Sequence, residues 1–297
     1  MMQASEPEQI AAEFEALRPY LLRVAYSHLG SLGEADDLVQ EAWLRLVGSD
    51  RSEIRDLRAW LTTVISRLAI DALTSARARR ETYTGEWLPE PVVDMQGAWT
   101  DPEGRVDLDE SVSMALLIVL EALSPAERSA FLLHDVFGYS FDEVAQIVER
   151  TPAATRQLAA RARNAVEARR PRYPADDEEQ RKAVEAFFTA VESGDIASLI
   201  ELLDPAVTYC SDGGGLVPAA RKVLTGAERV ARFITAYRRH HGRNFEASIV
   251  RVNGAPGLLV RMRDVIAVQS FTIDGGRITA VNTIRNPEKL TSVRRPR

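Results

Sequence analysis

A helical hairpin rich in arginine is predicted between residues 141 and 166. Apolar residues recur at helical spacing from Phe141 to Val148. Thr151 and Pro152 then indicate a second helix, because a threonine side chain caps the first turn and proline fits its first position. In that helix the sequence predicts an inward stripe of Thr155, Leu158, Ala159 and Ala162, and an outward set of Ala153, Ala154, Arg156, Gln157, Ala160 and Arg161.

The outward set suits contact with the major groove of DNA. Small side chains permit close approach to a surface, while arginine and glutamine can hydrogen-bond to the edges of bases. The pattern is therefore typical of the recognition helix of a helix-turn-helix. The same residues also allow a blander interpretation, an ordinary helical hairpin with a solvated basic face.

The chain has 297 residues and a formal net charge of −6, and its charges are unevenly distributed. Residues 156–172 contain six arginines and a single acid, Glu167. A second basic cluster comprises Arg67, Arg77, Arg79 and Arg80, and acidic stretches occur at 34–37 and 176–179. Local basic patches on an acidic protein favour two limited DNA contacts and a protein partner, and argue against a protein that coats nucleic acid.

The composition argues against several other classes of protein. Cys210 is the single cysteine, so no intramolecular disulfide can form, and no Cys/His cluster suggests a metal or any other cofactor. No signal pattern opens the chain, and no apolar run reaches the length of a bilayer. We therefore expect a cytoplasmic protein without a cofactor.

Three amphipathic helices are predicted before residue 82. Apolar residues at three- and four-residue spacing mark 8–29, 36–47 and 57–80, with a turn at 30–35 and a polar loop at 48–56. Residues 83–107 contain several prolines and two tryptophans without a steady period, which predicts a linker. The tryptophans suggest that part of this linker docks on a surface, although a plain surface linker is equally compatible. Residues 108–170 are again predicted to be helical.

The character of the chain changes after a boundary segment at 171–178. Helices are predicted at 179–192, 196–203 and 226–237, and strands at 207–210, 245–252, 258–263, 267–273 and 278–284. Turn residues such as Asn253 and Gly254 separate the strands. Helices followed by several strands in meander order predict an α+β domain.

The first 170 residues resemble a bacterial RNA polymerase sigma factor of the extracytoplasmic-function (ECF) group, because several motifs occur in the order of that family. DDLVQE at 36–41 with WLRL at 43–46 is similar to the helix that grips the polymerase clamp. WLTTV at 60–64 with LAID at 68–71 resembles the helix that meets the −10 promoter element. LSP at 123–125, followed by the hairpin, resembles the domain that reads the −35 element.

The resemblance implies three sets of contact residues. The polymerase-binding set is Asp36, Asp37, Leu38, Gln40, Glu41 and Trp43; the −10 set is Arg67, Asp71, Arg77, Arg79 and Arg80; and the −35 set is Ala154, Arg156, Gln157, Ala160 and Arg161. The residue chemistry is compatible, since Asp37 and Glu41 share a helix face and arginines can neutralise phosphates beside an opened strand. Solvated acidic and basic helix surfaces are the alternatives. Arg67 stands where many relatives carry asparagine.

The remainder resembles the NTF2-like (SnoaL-like) fold, and three motifs are similar to those of sigma factors that carry this extension. They are WLPEP at 87–91, DGGG at 212–215 and NPEKL at 286–290. In that subgroup the extra domain regulates the sigma portion in cis. The resemblance thus implies an interdomain regulatory set of Trp87, Pro89, Glu90, Pro91, Asp212, Gly213, Gly214, Gly215, Asn286 and Pro287. These residues suit particular backbone shapes rather than a core, and we predict at least two of the motifs at or near a contact between the 180–297 domain and the sigma portion.

The sequence therefore predicts a multidomain protein: two all-α sigma domains, the second with a helix-turn-helix, followed by an α+β NTF2-like cone domain. The predicted boundaries are 1–82, 83–107 for the linker, 108–172 and 178–297. The expected partners are core RNA polymerase and promoter DNA, with no membrane and no catalysis, in a monomer whose last domain has room for a small-molecule ligand. The alternative is a ligand-binding or enzymatic NTF2-like domain fused to a DNA-binding module, with Asp212 or Asp264 as base helped by Tyr209, His240 or His241.

Overall fold

The computed structural model describes residues 6–81, 83–94, 112–169, 171–240, 245–262 and 265–294. Trp99, His241 and Asp264, which the sequence singles out, lie outside these residues. The chain divides into two compact units. The first unit comprises Met1–Arg79, Asp101–Ser111 and Val119–Ala168, and the second comprises Arg80–Thr100, Val112–Ile118 and Arg169–Arg297.

Helices build the first unit, as the periodicity predicts. They are α1 (Glu6–Leu29), α2 (Leu32–Val47), α3 (Leu57–Glu81), the end of α4 (Met114–Leu120), α5 (Pro125–Phe131), α6 (Phe141–Ile147) and α7 (Pro152–Glu167). A 3₁₀ turn at Arg51–Glu53 and a π-helical turn at Leu132–Val136 supplement them. The apolar residues at helical spacing, among them Leu21, Leu61 and Val144, are fully buried, so these helices are stabilised mainly by packing of one apolar face.

The predicted turn at 30–35 is wrong, because α2 begins inside it. Ser31 caps the helix with its hydroxyl, which accepts a hydrogen bond from the Glu34 N–H at 3.4 Å. Ala35 is buried one turn later. A good cap and an early buried position thus outweigh the two glycines at 30 and 33, which suggested a longer turn.

The hairpin at 141–166 forms with the caps that its sequence predicts. Thr151 caps α7 by accepting from the Ala154 N–H at 3.2 Å, with Pro152 in the first turn. Ser140 and Glu143 form a capping box at the start of α6. Glu149 adopts a φ of +54° between the two helices, a conformation that only glycine adopts without steric cost.

A seven-stranded sheet and three helices build most of the second unit. The strands are β1 (Val93–Asp94), β2 (Leu203–Asp212), β3 (Leu224–Thr225), β4 (Phe245–Val252), β5 (Ala255–Met262), β6 (Val265–Asp274) and β7 (Arg277–Ile284), in the order β1-β4-β5-β6-β7-β2-β3. The pair β2–β7 is parallel and the other pairs are antiparallel. Helices α8 (Asp177–Ser193), α9 (Ile196–Leu202) and α10 (Ala227–His240) pack around a core that they share with the sheet.

This arrangement confirms the predicted α+β class and the meander of β4 to β7. The sequence does not predict β1 and β3, which are only two residues long and exist through pairing with β4 and β2. A turn at Pro287–Leu290 and the short helix α11 (Thr291–Arg294) complete the second unit. No helix in the described part of the chain combines the length and the hydropathy of a membrane span.

Candidate DNA, polymerase and linker sites

Helix α7 presents most of the predicted outward set to solvent. Arg156, Gln157, Ala160 and Arg161 are exposed, while Thr155, Ala159 and Ala162 are buried beneath them. Ala154 is half-buried beside the cap. The Arg156 guanidinium lies 5.4 Å from the centroid of the Phe141 ring. The geometry of a basic, small-residue helix face is thus as predicted, while base contacts by these residues stay a prediction.

Arg163 differs from the other arginines of α7. Its Nε and Nη2 both donate to Asp135 Oδ1, at 2.9 and 2.7 Å. Arg161, in contrast, has a side chain that is 67% exposed and only a distant ion pair with Glu127, at 3.9 Å. Arg163 therefore fixes α7 to the π-helical turn at Leu132–Val136, whereas Arg161 is available to a partner.

The predicted −10 set lies on α3. Arg67 and Asp71 are exposed on that helix. Arg77, Arg79 and Arg80 also belong to α3, but their side chains lie outside the described residues. Arg67 Nη2 donates to the Gln146 carbonyl of α6 at 3.0 Å, so this residue contacts the helix-turn-helix in the first unit.

The predicted polymerase face of α2 combines acidic and apolar exposure. Asp37 and Gln40 are exposed, and one helical turn further Leu44 and Val47 are 64% and 62% exposed. Large apolar side chains in solvent beside charged ones are typical of a protein–protein contact. The sequence prediction overlooked Leu44 and Val47, although their spacing of four and seven residues from Gln40 is visible in the sequence.

The other members of that set have partners inside the first unit. Asp36 forms an ion pair with Arg18 of α1 at 3.0 Å, and Glu41 forms one with Arg45 at 3.1 Å. Leu38 packs against a small core cluster, and the Trp43 ring lies 5.0 Å from that of Phe14. Asp36, Leu38 and Trp43 therefore position α2 in the first unit, while Glu41 pairs within the helix itself.

Polar contacts join helices α1–α3 to helices α4–α7. The Tyr139 hydroxyl donates to Thr62 Oγ1 at 2.9 Å and lies 3.1 Å from the Tyr20 hydroxyl. Arg128, which is buried, donates to the carbonyls of His28 and Leu120, both at 2.6 Å. We call these contacts, together with that of Arg67, the helical junction.

In the second unit the linker and two distant loops meet at one buried carboxylate. Asp212 is fully buried and accepts from the Tyr83 hydroxyl at 2.6 Å, the Leu88 N–H at 3.0 Å and Lys289 Nζ at 2.7 Å. Lys289 also donates to the Leu88 carbonyl. We call the group formed by Tyr83, Trp87, Leu88, Asp212, Asn286 and Lys289 the linker clasp.

Aromatic rings and an amide complete the linker clasp. The Lys289 ammonium lies 3.9 Å from the centroid of the Trp87 ring and 5.3 Å from that of Tyr83, within the range of cation–π attraction. Asn286 Nδ2 donates to the Tyr83 hydroxyl at 2.9 Å. Burial and the neighbouring Asp212 carboxylate raise the pKa of Tyr83, so its hydroxyl stays protonated and remains a donor.

The glycines after Asp212 are required by close packing. A Cβ on Gly214, whose φ is +65°, would lie 2.5 Å from Asn286 Nδ2, and one on Gly213 would lie 2.4 Å from the Val217 carbonyl oxygen. Gly215, with φ of +73°, lies against Thr84 of the linker. The DGGG motif thus brings backbone close to both the tail motif and the linker.

The rest of the WLPEP motif is held by the sheet. Pro89, Glu90 and Pro91 are buried, and Leu88 packs in a core cluster with Leu290. The Asn253 N–H donates to the Val92 carbonyl at 2.8 Å, and the Val92 N–H donates to Asn253 Oδ1 at 3.0 Å. Strand β1 then pairs with β4. The linker between residues 83 and 94 is therefore part of the second unit.

The expectation that the motif loops stay outside the core is wrong, because Asp212, Asn286 and Lys289 are all buried. Pro287 begins the 3₁₀ turn that aims Lys289 at Asp212. The sequence prediction included neither Tyr83 nor Lys289 among the site residues. The rarity of lysine, with three in the chain, was the available signal that a lysine inside a motif has a specific partner.

The structure gives no support to the enzymatic alternative, with Asp212 as base helped by Tyr209 or His240. The Asp212 carboxylate is already occupied by an ammonium and three other donors. His240 lies at the exposed end of α10, and Tyr209 is buried, which raises the pKa of its hydroxyl. General acid–base catalysis needs two groups within hydrogen-bond reach of a substrate, and Asp212 is closed off by its own partners.

Comparisons with known proteins agree with this organisation. The family model described as Sigma-70 region 2 matches residues 14–79, and that described as Sigma-70, region 4 matches residues 113–166. The chain is 42% identical over 291 residues to the ECF RNA polymerase sigma factor SigJ of Mycobacterium tuberculosis, covering 94% of this chain and 93% of the relative. It is 35% identical over 298 residues to the probable ECF sigma factor SigI of the same species, covering 98% of each.

A solved structure shows the same likeness. The crystal structure of M. tuberculosis SigJ superposes with a TM-score of 0.79 at 39% identity, covering 95% of this chain and 98% of that chain. An α1–α3 bundle, a helix-turn-helix and the two matched regions define a transcription initiation factor of the sigma-70 class. The chain belongs to the family of ECF RNA polymerase sigma factors, which are not enzymes but bind core RNA polymerase and promoter DNA.

Proposed function

We propose that the second unit regulates this sigma factor in cis by holding the linker between region 2 and region 4 in the linker clasp. The observation that carries the proposal is the buried pair of Asp212 and Lys289, which grips both the N–H and the C=O of Leu88. Leu88 lies in the segment between the two matched regions. A domain without a role in transcription initiation would not need to hydrogen-bond the linker in this way.

The linker must allow region 2 and region 4 to separate over a long distance on the promoter. A −10 and a −35 element lie about 25 base pairs apart, or roughly 85 Å, because B-DNA rises about 3.4 Å per base pair. Region 2 and region 4 are joined in the first unit by the helical junction, which must open before both elements are read. Residues 83–94 and Val112–Ile118 are both anchored in the second unit, so a closed linker clasp limits how far the regions separate.

The proposal is tested by run-off transcription with core polymerase from a cognate promoter. Tyr83→Phe and Lys289→Met weaken the linker clasp without touching the predicted DNA or polymerase residues, and we expect both to change the transcript yield. Lys222→Met, an exposed lysine of the same unit, is the matched control. Transcription by both clasp variants at the parental level, with parental promoter selectivity, contradicts cis-regulation.

Truncation before residue 178 is a poor substitute for these variants. Removing the residues from 178 onward would expose Leu88, Met114 and Ile118, the parts of the second unit left behind, which are packed against Leu259 and Leu290 in the intact protein. A loss of activity in the truncated chain would then report exposed apolar surface as much as lost regulation. Substitutions inside the full chain avoid this ambiguity.

We also propose that α2 contacts the polymerase through Asp37, Gln40 and Glu41 together with Leu44 and Val47. The support is the juxtaposition of acidic side chains with exposed large apolar ones. The charge-reversal pair Asp37→Lys and Glu41→Lys should reduce capture of core polymerase while the circular dichroism spectrum stays unchanged. Glu53→Lys, an exposed acid off this face, is the control, and undiminished capture by the folded double variant would refute the assignment.

We further infer that the active species is a cytoplasmic monomer and that the second unit takes a small-molecule ligand. The matched regions supply one set of polymerase and promoter contacts in a single chain, which is all that initiation requires. Light scattering on the purified protein tests the oligomeric state, and a dimer at micromolar concentration refutes it. The ligand is the subject of the next inference.

A further inference from the structure

A cavity lies inside the second unit, between the helices and the sheet. It has a volume of about 50 Å³, several times the roughly 10–15 Å³ that one water molecule occupies on the same scale. Its wall is mainly aromatic and aliphatic, with Phe187, Phe233, Phe245 and Leu258 among the lining residues. A cavity of this size suits an apolar group of a few carbon atoms, such as a short branched chain, since a cavity that holds a benzene ring measures about 150 Å³.

One end of the cavity is polar and carries a positive charge. Arg285, at the end of β7, lines the cavity and is only 5% exposed. Its two terminal nitrogens donate to the Pro218 carbonyl and the Tyr237 hydroxyl, and its Nε is buried without a hydrogen-bond partner. The guanidinium also lies 4.8 Å from the centroid of the Tyr237 ring.

No carboxylate balances this guanidinium within the part of the chain that the structure describes. Its partners there are a carbonyl and a phenol, both neutral, and none of the residues lining the cavity is acidic. A buried charge without a counter-charge is costly and is normally retained for an interaction. This contrasts with Lys289, whose charge is balanced by Asp212 in the same unit.

Neutral donors and acceptors flank Arg285. Gln269 and Thr283 line the cavity and are hydrogen-bonded to each other at 3.2 Å. Tyr209 also lines it, and burial raises the pKa of its hydroxyl, so that hydroxyl stays neutral and can donate. A planar carboxylate fits a guanidinium fork with additional hydroxyl and amide donors beside it.

We propose that this cavity binds a small carboxylic acid with an apolar body, whose carboxylate pairs with Arg285 and whose body lies among the phenylalanines. The proposal deepens the ligand-binding part of the proposed function. It also offers a route to the linker clasp, because the N–H groups of Arg285 and Asn286 both donate to the Asp212 carbonyl, at 2.7 and 3.0 Å. A ligand that moves Arg285 therefore acts directly beside Asn286, which contacts Tyr83.

The test uses the full-length protein with propionate, isobutyrate and isovalerate, each paired with its neutral amide. Binding is measured by calorimetry and by chemical shifts of ¹³C-labelled methyl groups, with Met262 and Leu258 as reporters inside the cavity. We expect at least one carboxylate to bind and to shift these methyl signals, and its amide to bind at least about tenfold more weakly. Equal binding of acid and amide, or no binding of any acid at millimolar concentration, overturns the proposal.

Two variants separate recognition from folding. Arg285→Lys keeps a charge but loses the planar fork, and we expect at least about tenfold weaker binding of the carboxylate. Ala267→Leu fills the cavity from β6 without altering any polar group, and we expect it to abolish binding in a protein with an unchanged fold. The matched control is Arg232→Lys on the exposed face of α10, where the side chain is 69% exposed. Parental affinity in both cavity variants overturns the site.

A last arm distinguishes this site from cis-regulation. The acid that binds is added to run-off transcription by the parent and by Ala267→Leu. Binding that changes transcription by the parent alone supports the link from Arg285 to the linker clasp. Binding without any change in transcription refutes that link but still supports the ligand site. Cis-regulation is tested independently by the Tyr83→Phe and Lys289→Met variants.

Discussion

The helical junction and the linker clasp both join segments far apart in the sequence, but they are built in different ways. The helical junction relies on hydroxyls and on arginines that reach backbone carbonyls, as Arg67 and Arg128 do. The linker clasp combines a buried charge pair, strand pairing through β1 and the apolar contacts of Leu88. The hydrogen bonds across the helical junction have uncharged acceptors and are individually modest. We therefore expect the first contact to open while the second stays closed.

This difference assigns distinct tasks to the two contacts. Opening the helical junction exposes Thr62, Tyr20 and Tyr139, all of which water can satisfy. Opening the linker clasp would either expose Leu88 and Leu290 or leave Asp212 buried without its ammonium. Under the proposed cis-regulation, the sigma portion rearranges while the linker stays held until a specific event releases it.

The largest expected effect comes from breaking the charge pair of the linker clasp from one side. Lys289→Met leaves the fully buried Asp212 carboxylate with neutral donors only, which should cost about 3–5 kcal/mol. The double variant Asp212→Asn, Lys289→Met removes both charges and should recover much of that loss. Both the loss of stability and its recovery are measured by hydrogen exchange of the peptide covering residues 83–94. Lys222→Met is the control. Equal protection in the single variant and the parent would show that the pair does not hold the linker.

An acid-sensitive group at the helical junction gives the next largest effect. His28 is fully buried, and burial lowers its pKa to about 4, with the nearby Arg128 guanidinium acting in the same direction. Because this folded-state pKa lies below the unfolded value, the unfolded chain binds the proton more readily. The stabilisation is complete above about pH 6.5 and is lost as the pH falls toward 4, by roughly 3 kcal/mol in total.

Hydrogen exchange of peptides from α1 between pH 7.5 and 4.5 follows this loss, after correction for the intrinsic pH dependence of exchange. His28→Gln should flatten the dependence, while His240→Gln at the exposed end of α10 should leave it unchanged. A parental pH profile in His28→Gln would mean that another group controls acid stability. Peptides of the second unit report whether the effect is confined to the first.

The sequence predicts the parts of this molecule whose structure depends on local rules. Amphipathic spacing and caps such as Thr151 and Ser140 specify α6 and α7 without help from distant residues. The linker clasp depends on Asp212 meeting Leu88 and Lys289 across separations of 124 and 77 residues. Residue periodicity does not predict contacts over such separations. Motif resemblance identified the segments, but the roles of Tyr83, Lys289 and strand β1 became visible only in the structure.

The third prediction concerns arginines that are not engaged in the helical junction. If Arg156 or Arg161 hydrogen-bonds to a guanine, its replacement by alanine should cost about 1–3 kcal/mol and relax preference at one base pair. Binding is measured across single-base variants of the −35 element at fixed salt. Arg150→Ala, which removes the same charge from the turn before α7, should weaken all sequences alike. A uniform loss in the α7 variants would make them phosphate contacts.

The smallest expected effect tests whether the helical junction is the element that opens. Tyr139→Phe removes a hydroxyl that contacts both Tyr20 and Thr62, which should weaken the junction by about 1 kcal/mol. The expected result is a shift toward separated regions, seen as lower energy transfer between dyes at Ser52 and Asn164, both of which are exposed. The control is Tyr173→Phe, because Tyr173 is 73% exposed. If Tyr139→Phe opens the regions only when Lys289→Met is also present, the linker clasp limits the opening. If it opens them equally with the clasp intact, the junction alone keeps the regions together and the clasp has another task.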